Sequence, residues 1–277
     1  MPELPEVELV ARALDRLVRG RRFSSAELLR PRLAPENTPE EFSAGLGGAR
    51  VREVGRRGKH ILLHLDNART LLVHLRMTGR FLLLPEGRDL PRHTHALFAL
   101  DDGRRLAFTD QRHFGLMKLV HAAELTLTKE LRRLAPEPLS EEFTTDYLAS
   151  ALARSRRTLK ETLLDQTKVT GLGNIYAAEA LFIARANPFT VSADFSRRRV
   201  PRLHEAIRQV LGEAIAHGST MNVDPEDIDS SYYGGAYEGR WRVYDREGEP
   251  CPKCRDPIRR VTHAGRSTYF CPRCQRR

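Results

Sequence analysis

The spacing of hydrophobic positions changes along the chain and predicts three kinds of secondary structure in succession. Near the start, apolar residues recur with helical spacing behind Pro5, at Val7, Val10, Ala11, Leu14, Leu17 and Val18. This pattern predicts one amphipathic helix that ends near Gly20. From about residue 51 to residue 120, short apolar runs separated by glycines predict strands at 61–65, 71–75, 81–84, 96–100 and 116–120. Strands at that spacing are typical of a β-sandwich or barrel.

Helical spacing returns after Pro136 and Pro138 and predicts helices near 148–152, 159–164, 175–183 and 203–215. Residues 218–240 are rich in Gly, Ser, Asp and Tyr without clear periodicity, which predicts a long loop. All four cysteines follow in a last small module. We therefore expect an α+β multidomain protein with a β-sandwich domain at 1–130, a helical domain at 131–239 and a cysteine module at 240–277.

Charge narrows the class of partner. The 277 residues carry a formal net charge of +10, and the isoelectric point near 9.8 favours binding to polyanions, with nucleic acid as the default. No apolar run approaches the roughly 18 to 20 residues of a membrane helix. The acidic start MPELPEVE is unlike a secretory signal. We expect a cytosolic protein that needs no membrane, and nothing in the sequence indicates an obligate oligomer, so we expect a monomer.

The cysteines have the spacing of a metal site. Cys251 and Cys254 form one pair and Cys271 and Cys274 the other, with sixteen residues between the pairs. Each pair can bind one side of a tetrahedral Zn²⁺, and four thiolates leave no open position, so we expect one structural zinc and no catalytic metal. Four reduced core thiols are the alternative, but the surrounding residues are too polar for a core. Residues 240–277 hold 11 Lys and Arg against 4 Asp and Glu, a net charge of +7.

Two segments are suited to contact with phosphate. In KETLLDQTKVTGLGNIYAAE (160–179), Gly171 and Gly173 separate two helical runs, and we place Asn174 at the N-cap of the second helix. Glycines permit close backbone approach, and a helix start offers free N–H groups to an anion. In the cysteine module, Arg266 lies at the tip of a predicted hairpin. A plain helical hairpin and a solvated turn are the simpler interpretations.

Six motifs together resemble the formamidopyrimidine-DNA glycosylase family. They are PELPEVE at the start, GRRGKH around Lys59, HLRMTG around Met77, FTDQRHFG around Arg112, the DQTKVTGLGNIYAAE hairpin and the terminal GRSTYFCPRCQ. The resemblance spans nearly the whole chain. It implies a bifunctional DNA glycosylase and lyase of base excision repair, built from a β-sandwich domain with a leading helix, a helix-two-turn-helix domain and a zinc finger formed by a β-hairpin. Its partner would be double-stranded DNA that contains oxidised bases.

The resemblance assigns catalysis to Pro2, Glu3, Lys59 and Arg266. Removal of Met1 would leave Pro2 as the terminal amine. An α-amine titrates at about 8 and a lysine at about 10.4, so more of the Pro2 amine is unprotonated at neutral pH and Pro2 is the better nucleophile. Its attack on the sugar C1′ would form a Schiff base and lead to β,δ-elimination, with Glu3 as acid or base at the ring oxygen. Lys59 would bind phosphate beside the lesion, and Glu6 would support the site or only complement the helix dipole.

The resemblance also assigns DNA contacts. Met77, Arg112 and Phe114 match the three side chains that fill the void left by the extruded nucleotide, although a core position is the simpler interpretation of Met77 and Phe114. Arginine carries only donors, which suit the acceptors of an orphaned cytosine better than adenine. Further contacts to DNA fall on His74, His93, Lys160, Asn174 and Tyr244, with a structural role open for His93 and its neighbour His95.

Two departures from the family pattern affect substrate choice. His113 stands where many relatives have arginine, and the loop at 219–239 does not follow the pattern expected where the purine is capped. Oxidised purines, namely 8-oxoguanine and formamidopyrimidines, remain the leading substrates. The alternatives are an endonuclease VIII-like glycosylase for oxidised pyrimidines and a non-catalytic damaged-DNA-binding protein. An RNA-binding protein explains neither the amino-terminal motif nor the three void-filling side chains.

Overall fold

The structure is a computed structural model that describes residues 2–218, 220–222, 224–228, 235–237 and 239–276. The expectation about Met1, and that about residues 219, 223, 229–234 and 238 of the divergent loop, lie outside the described residues. The chain divides into two compact units, one formed by Met1–Arg132 with Gly218–Ala236 and one by Arg133–His217 with Tyr237–Arg277. The bounds of the three expected domains stay a prediction.

The first unit contains two antiparallel four-stranded sheets that share one apolar core. One sheet has the order β1-β6-β7-β5 and the other β2-β3-β4-β8. The strands are β1 Phe23–Leu28, β2 Val51–Arg57, β3 His60–Leu65, β4 Arg69–His74, β5 Gly79–Leu84, β6 Thr94–Leu100, β7 Arg105–Asp110 and β8 Leu116–His121. This arrangement confirms the β-sandwich.

Two helices cover the sandwich. Helix α1 (Leu4–Val18) contacts β2 and β3, and helix α2 (Pro39–Leu46) contacts β1. The apolar side of α1 is fully buried at Leu4, Leu14 and Val18, as its helical periodicity requires. The leading helix expected from the sequence is therefore present and belongs to the sandwich core.

The spacing of apolar residues did not predict four elements of the first unit, namely β1, β2, β7 and α2. Strands β1 and β2 each expose the second and third residues, so their apolar positions do not alternate regularly. Strand β7 begins with Arg105 and ends with Asp110, which makes it look like a polar connection. All five expected strands are present, each with bounds within two residues of those expected.

The second unit contains α3 (Thr145–Ala153), α4 (Leu159–Leu164), α5 (Asn174–Ile183), α6 (Val200–His217) and the hairpin β9 (Arg259–His263) and β10 (Arg266–Phe270). The four expected helices are confirmed. Between α4 and α5, the Gln166 side chain donates to the carbonyls of Leu164 and Leu172 and accepts from Gly171 N–H, which fixes both turns.

One local expectation was wrong. The N-cap of α5 is Gly173, with extended backbone, and Asn174 is the first helical residue. The side chain of Asn174 is therefore not used for capping and donates instead to the Ser267 carbonyl, 3.0 Å away. Among the described residues, no helix has the length and apolar character needed to cross a membrane.

Candidate functional site

The start of α1 holds two acidic residues in a fixed arrangement. Glu3 is the N-cap residue and Glu6 the third helical residue, and the two form a capping box in which Glu3 N–H donates to Glu6 Oε2 at 2.9 Å. Pro5 suits the first helical turn because it lacks an N–H that would need a partner. Glu3 is 2% exposed and Glu6 is fully buried.

Glu6 also binds the segment that follows α6. Its Oε1 accepts from the Thr220 hydroxyl at 3.0 Å and from Thr220 N–H at 3.3 Å. Pro2, directly before the cap, is buried and lines a small pocket with Glu6, Gly79, Arg80 and Met221. The structure thus brings Pro2, Glu3 and Glu6 together and gives Glu6 contacts beyond the helix dipole.

Lys59 lies in the two-residue turn between β2 and β3, where Arg57 pairs with His60. Gly58 has a positive φ of +58°, whereas the φ of Lys59 is not positive. A positive φ at the first turn residue alone is the pattern of a type II′ turn, in which glycine occupies that first position. Lys59 is 8% exposed. The expected strand-turn location is correct, but this lysine is largely buried.

A half-buried arginine connects this turn with α1. Arg56 donates from Nε to Glu8 Oε2 at 2.8 Å and from a terminal nitrogen to the Gly58 carbonyl at 2.9 Å. Burial raises the pKa of Glu8, but hydrogen bonds from Arg56 and Arg12 outweigh it and hold the pKa below its ordinary value. Glu8 therefore stays ionised and anchors Arg56, which in turn fixes the carbonyl next to Lys59.

His60 and His74 pair across β3 and β4, with ring centroids 4.7 Å apart. Burial, helped by the positive charges of Arg76 and Lys59, lowers the pKa of His60 to about 4 and that of His74 to about 2. His74 Nδ1 accepts from Arg76 N–H at 2.9 Å, so the proton of the neutral ring is on Nε2. Any phosphate contact by His74 would therefore use a neutral donor.

The three predicted void-filling side chains lie on loops at the ends of β4 and β7. Met77 is half-buried, whereas Phe114 is 55% exposed and the Arg112 guanidinium lies 5.1 Å from its ring centroid. Arg112 and Phe114 are thus both exposed, and neither is a core residue.

Asp110 holds the loop that carries Arg112 and Phe114. Its buried carboxylate accepts from the Thr78 hydroxyl, from Arg112 N–H at 3.2 Å and from Gly115 N–H at 2.6 Å. Sequence analysis missed this role, although Asp two residues before the arginine is the spacing of an Asx turn.

His93 and His113 are exposed near this loop, and His95 is 3% exposed. His113 Nδ1 lies 2.9 Å from His95 Nε2. The His93 ring centroid is 5.7 Å from that of His113. The contact of His93 with DNA stays a prediction.

In the second unit, two predicted DNA contacts hold the cysteine hairpin. The Lys160 ammonium, only 1% exposed, donates to the Ser267 carbonyl and the Thr268 hydroxyl, both at 2.7 Å. Asn174 donates to the same carbonyl. These contacts fix the residue next to Arg266, which is itself exposed at the start of β10. A direct phosphate contact by Lys160 stays a prediction.

Tyr244 belongs to a segment fixed by another residue that sequence analysis missed. Glu179, fully buried on α5, accepts from the backbone N–H groups of Arg242, Val243 and Tyr244 at 2.8 to 3.0 Å. Burial raises the pKa of Glu179. The Tyr244 ring packs edge-on against Trp241 and Tyr269 and is half-buried. An acidic residue within an apolar helix was the only sequence signal for Glu179.

The four cysteines meet at one point in the second unit. Their four Sγ atoms all lie within 4.8 Å of one another. The Sγ–Sγ distance is 3.9 Å between Cys251 and Cys274 and 3.4 Å between Cys254 and Cys271. Zinc–sulfur bonds of about 2.3 Å set the sulfurs of a tetrahedral site roughly 3.8 Å apart. The residues therefore fit one structural Zn²⁺.

The turn between β9 and β10 is formed by Ala264 and Gly265, whose φ angles are +47° and +72°. Two positive φ angles are typical of a type I′ turn, and Arg266 directly after it is exposed.

Three family models match successive parts of the chain. Residues 1–117 match the formamidopyrimidine-DNA glycosylase N-terminal domain, 134–224 the H2TH domain of the same enzymes, and 248–277 a zinc finger found in FPG and IleRS.

Whole proteins agree with these matches. Formamidopyrimidine-DNA glycosylase of Desulforamulus reducens is 41% identical over 277 residues, which cover 100% of this chain and 99% of the relative. The crystal structure of the Fpg protein from Thermus thermophilus is 40% identical, with a TM-score of 0.87 over 99% of this chain and 98% of that one. A Lactococcus lactis Fpg in complex with DNA containing FAPY-dG is 30% identical, with a TM-score of 0.91 over 99% and 100% of the two chains.

Proposed function

The chain belongs to the formamidopyrimidine-DNA glycosylase family and is a DNA glycosylase and AP lyase for oxidised purines, and we propose that it acts through the amine of Pro2. The observation that supports this proposal best is the position of Pro2, buried in a pocket directly before the Glu3 and Glu6 capping box. A nucleophile at this place is held by the first turn of α1.

The proposed chemistry starts when the Pro2 nitrogen attacks the sugar C1′ and the damaged base leaves with the glycosidic electron pair. The Pro2 nitrogen gives up its proton, and its lone pair forms an iminium with C1′ as the C1′–O4′ bond breaks and the ring oxygen takes up a proton, which opens the sugar ring. The iminium acidifies the C2′ proton. Loss of that proton expels the 3′-phosphate, and a second elimination expels the 5′-phosphate. Glu3 lies next to Pro2 and is the acid or base at the sugar ring oxygen. Glu6 holds the Glu3 backbone and Thr220 in place.

Lys59 supplies the positive charge for the phosphate beside the lesion. Its turn is held by Arg56 and Gly58, so the ammonium is placed before the substrate arrives. His74 adds a neutral N–H donor on the neighbouring strand. Because both groups are largely buried, they are suited to one close phosphate contact and not to a diffuse attraction of the duplex.

Met77, Arg112 and Phe114 fill the space left by the extruded nucleotide. Phe114 is exposed enough to wedge between bases, and Arg112 is held over its ring. The guanidinium donors can reach the O2 and N3 acceptors of an orphaned cytosine, whereas adenine places an amino donor against them. We therefore propose 8-oxoguanine and formamidopyrimidines opposite cytosine as the preferred lesions.

The second unit binds the DNA backbone. Arg266 contacts phosphate from the tip of the zinc-held hairpin, with Asn174, Lys160 and Tyr244 beside or beneath it, and His93 is a further contact in the first unit. The zinc is held by Cys251, Cys254, Cys271 and Cys274 and stabilises the hairpin without taking part in bond breaking. We further propose that the protein acts as a monomer in the bacterial cytosol.

Borohydride trapping tests the proposed nucleophile. Reduction during reaction with a duplex bearing 8-oxoguanine opposite cytosine should yield a covalent protein–DNA adduct, and peptide mapping should place it on the Pro2 nitrogen. An adduct on a lysine, or no adduct while base release continues, would contradict the proposal. The matched control retains an extra residue before Pro2, which leaves the fold intact but turns the amine into an amide. This control should release no base.

A further inference from the structure

The loop between Asp110 and Gly115 carries Arg112 and Phe114 and contains an unusual backbone position. His113, between these two side chains, has φ +60°, a left-handed conformation that is uncommon outside glycine and costs conformational energy. Strain of this kind persists only where surrounding contacts hold the residue. The contacts that hold His113 therefore decide where its two neighbours point.

His113 is held by a second histidine. Its Nδ1 lies 2.9 Å from His95 Nε2, the ring centroids are 4.8 Å apart and the ring planes differ by only 6°. His95 lies on β6 and is buried, so it is a fixed partner, whereas His113 is exposed. One imidazole N–H donates to the lone pair of the other ring.

We propose that His95 and His113 are positioning residues for recognition of the orphaned base, and that they hold the loop only while the pair shares at most one extra proton. With no extra proton, or with one, a nitrogen lone pair remains between the rings to accept the hydrogen bond. With two extra protons, both facing nitrogens carry N–H, the bond is lost and two positive charges repel. This inference rests on the proposed role of Arg112 in the glycosylase.

The surrounding charges set the pH range of this change. Burial lowers the pKa of His95, and the nearby His113, Arg30 and His93 lower it further, while Asp110 opposes them. The pair therefore takes up its second proton, on His95, only below the ordinary histidine range at about pH 6.5. Arginine side chains are always charged in proteins, so a change in recognition over this range would come from loop position.

The test measures excision of 8-oxoguanine opposite cytosine and opposite adenine from about pH 8 to about pH 5. The cytosine-to-adenine ratio of kcat/KM should be highest above neutral pH and fall about three- to tenfold by the acidic end, the effect of one lost hydrogen bond. His113→Asn should show the low ratio at every pH. Direct effects of pH on the chemistry change both rates together and cancel in the ratio.

His121→Gln is the matched control, because His121 is exposed in the same unit and lies at the end of β8. It should reproduce the wild-type ratio and pH profile. His95→Gln removes the buried partner and should match His113→Asn, with thermal unfolding as a check on folding. A wild-type ratio that does not change with pH, or an unchanged ratio in His113→Asn, would overturn the inference. Failure of the proposed function looks different, since neither duplex would then be cleaved.

Discussion

The two compact units carry the same number of cationic residues but use them differently. The first unit has 23 Lys and Arg against 21 Asp and Glu, and the second has 23 against 15. In the first unit, cations such as Arg56 are paired with buried or half-buried acids, and Lys59 is largely buried. In the second, Arg266 and its neighbours on the hairpin are exposed. We therefore expect the net charge to determine how strongly the protein is attracted to DNA, and the placement of single charges to determine the rate of the reaction.

This contrast predicts that substitutions in the first unit lower rates while those in the second lower affinity. Lys59→Ala should have the largest effect, because a preplaced charge on the reacting phosphate is removed. We expect a loss of about 10³-fold or more in the single-turnover rate of base excision at saturating enzyme, with a small change in Kd. Lys129→Ala, which removes an exposed lysine of the same unit, is the control. A pure affinity loss in Lys59→Ala would break the distinction between the units.

Removal of zinc should lower the affinity for DNA more than the rate of base excision, the opposite of the expected effect of Lys59→Ala. Chelation should unfold the β9–β10 hairpin, displace Arg266 and weaken binding to duplex DNA by about 10²-fold, with a smaller salt dependence of the remaining affinity. Affinity measured by fluorescence anisotropy should return when Zn²⁺ is added back. Full affinity after complete removal of the metal would show that the hairpin does not hold DNA.

Arg56 sharpens the comparison, because it is a cation of the first unit that donates to the carbonyl of Gly58, the residue next to Lys59. Arg56→Ala should lower the single-turnover rate by about 10- to 30-fold while leaving Kd nearly unchanged, since the lysine charge remains but its turn is no longer fixed. Arg12→Ala is a closely matched control: Arg12 also binds Glu8, at 2.7 Å, but is exposed. Equal losses in both variants would assign the effect to Glu8 alone.

The sequence showed the candidate reacting residues more clearly than the residues that hold them. Pro2, Glu3, the Lys59 turn and the four cysteines were visible as motifs, and the long apolar runs predicted most of the sandwich. Asp110, Glu179 and Arg56 act through contacts with backbone groups that are two to 65 residues distant along the chain. A single buried carboxylate has no periodicity, so only the folded chain shows which N–H groups it accepts from. The same limit applies to Asn174, whose side chain donates to the Ser267 carbonyl instead of capping the helix.

Arg112→Ala tests whether a cation of the first unit can determine which base is accepted opposite the lesion without affecting the catalytic steps. The cytosine-to-adenine ratio of excision rates should narrow by about tenfold, because the donors that distinguish the two bases are lost while Phe114 still fills the gap. The rate at an isolated abasic site should change little. Arg104→Ala, whose guanidinium pairs with Asp102, serves as the control. An unchanged ratio would remove Arg112 from base recognition.

The last prediction concerns stability against acid. The pKa of His60 is about 4 and that of His74 about 2 in the folded chain, whereas an unfolded histidine titrates at about 6.5. Below about pH 6.5 the unfolded chain therefore binds more protons than the folded one, so the free energy of unfolding falls as pH falls and is fully retained above that value. At about pH 5 each histidine should account for about 1 to 2 kcal/mol of this loss.

Urea unfolding of the whole protein between about pH 7 and pH 5 measures this loss. His60→Gln should flatten the pH dependence of the transition that reports on the first unit, and His121→Gln, at an exposed histidine, should not. Because both buried rings belong to the β3–β4 pair, the second unit should keep its stability over the same range. If both transitions weaken equally with acid in the wild type and in His60→Gln, the buried histidines are not the cause. If only the first unit responds, the part of the molecule that positions the reacting groups is also the part limited by acid.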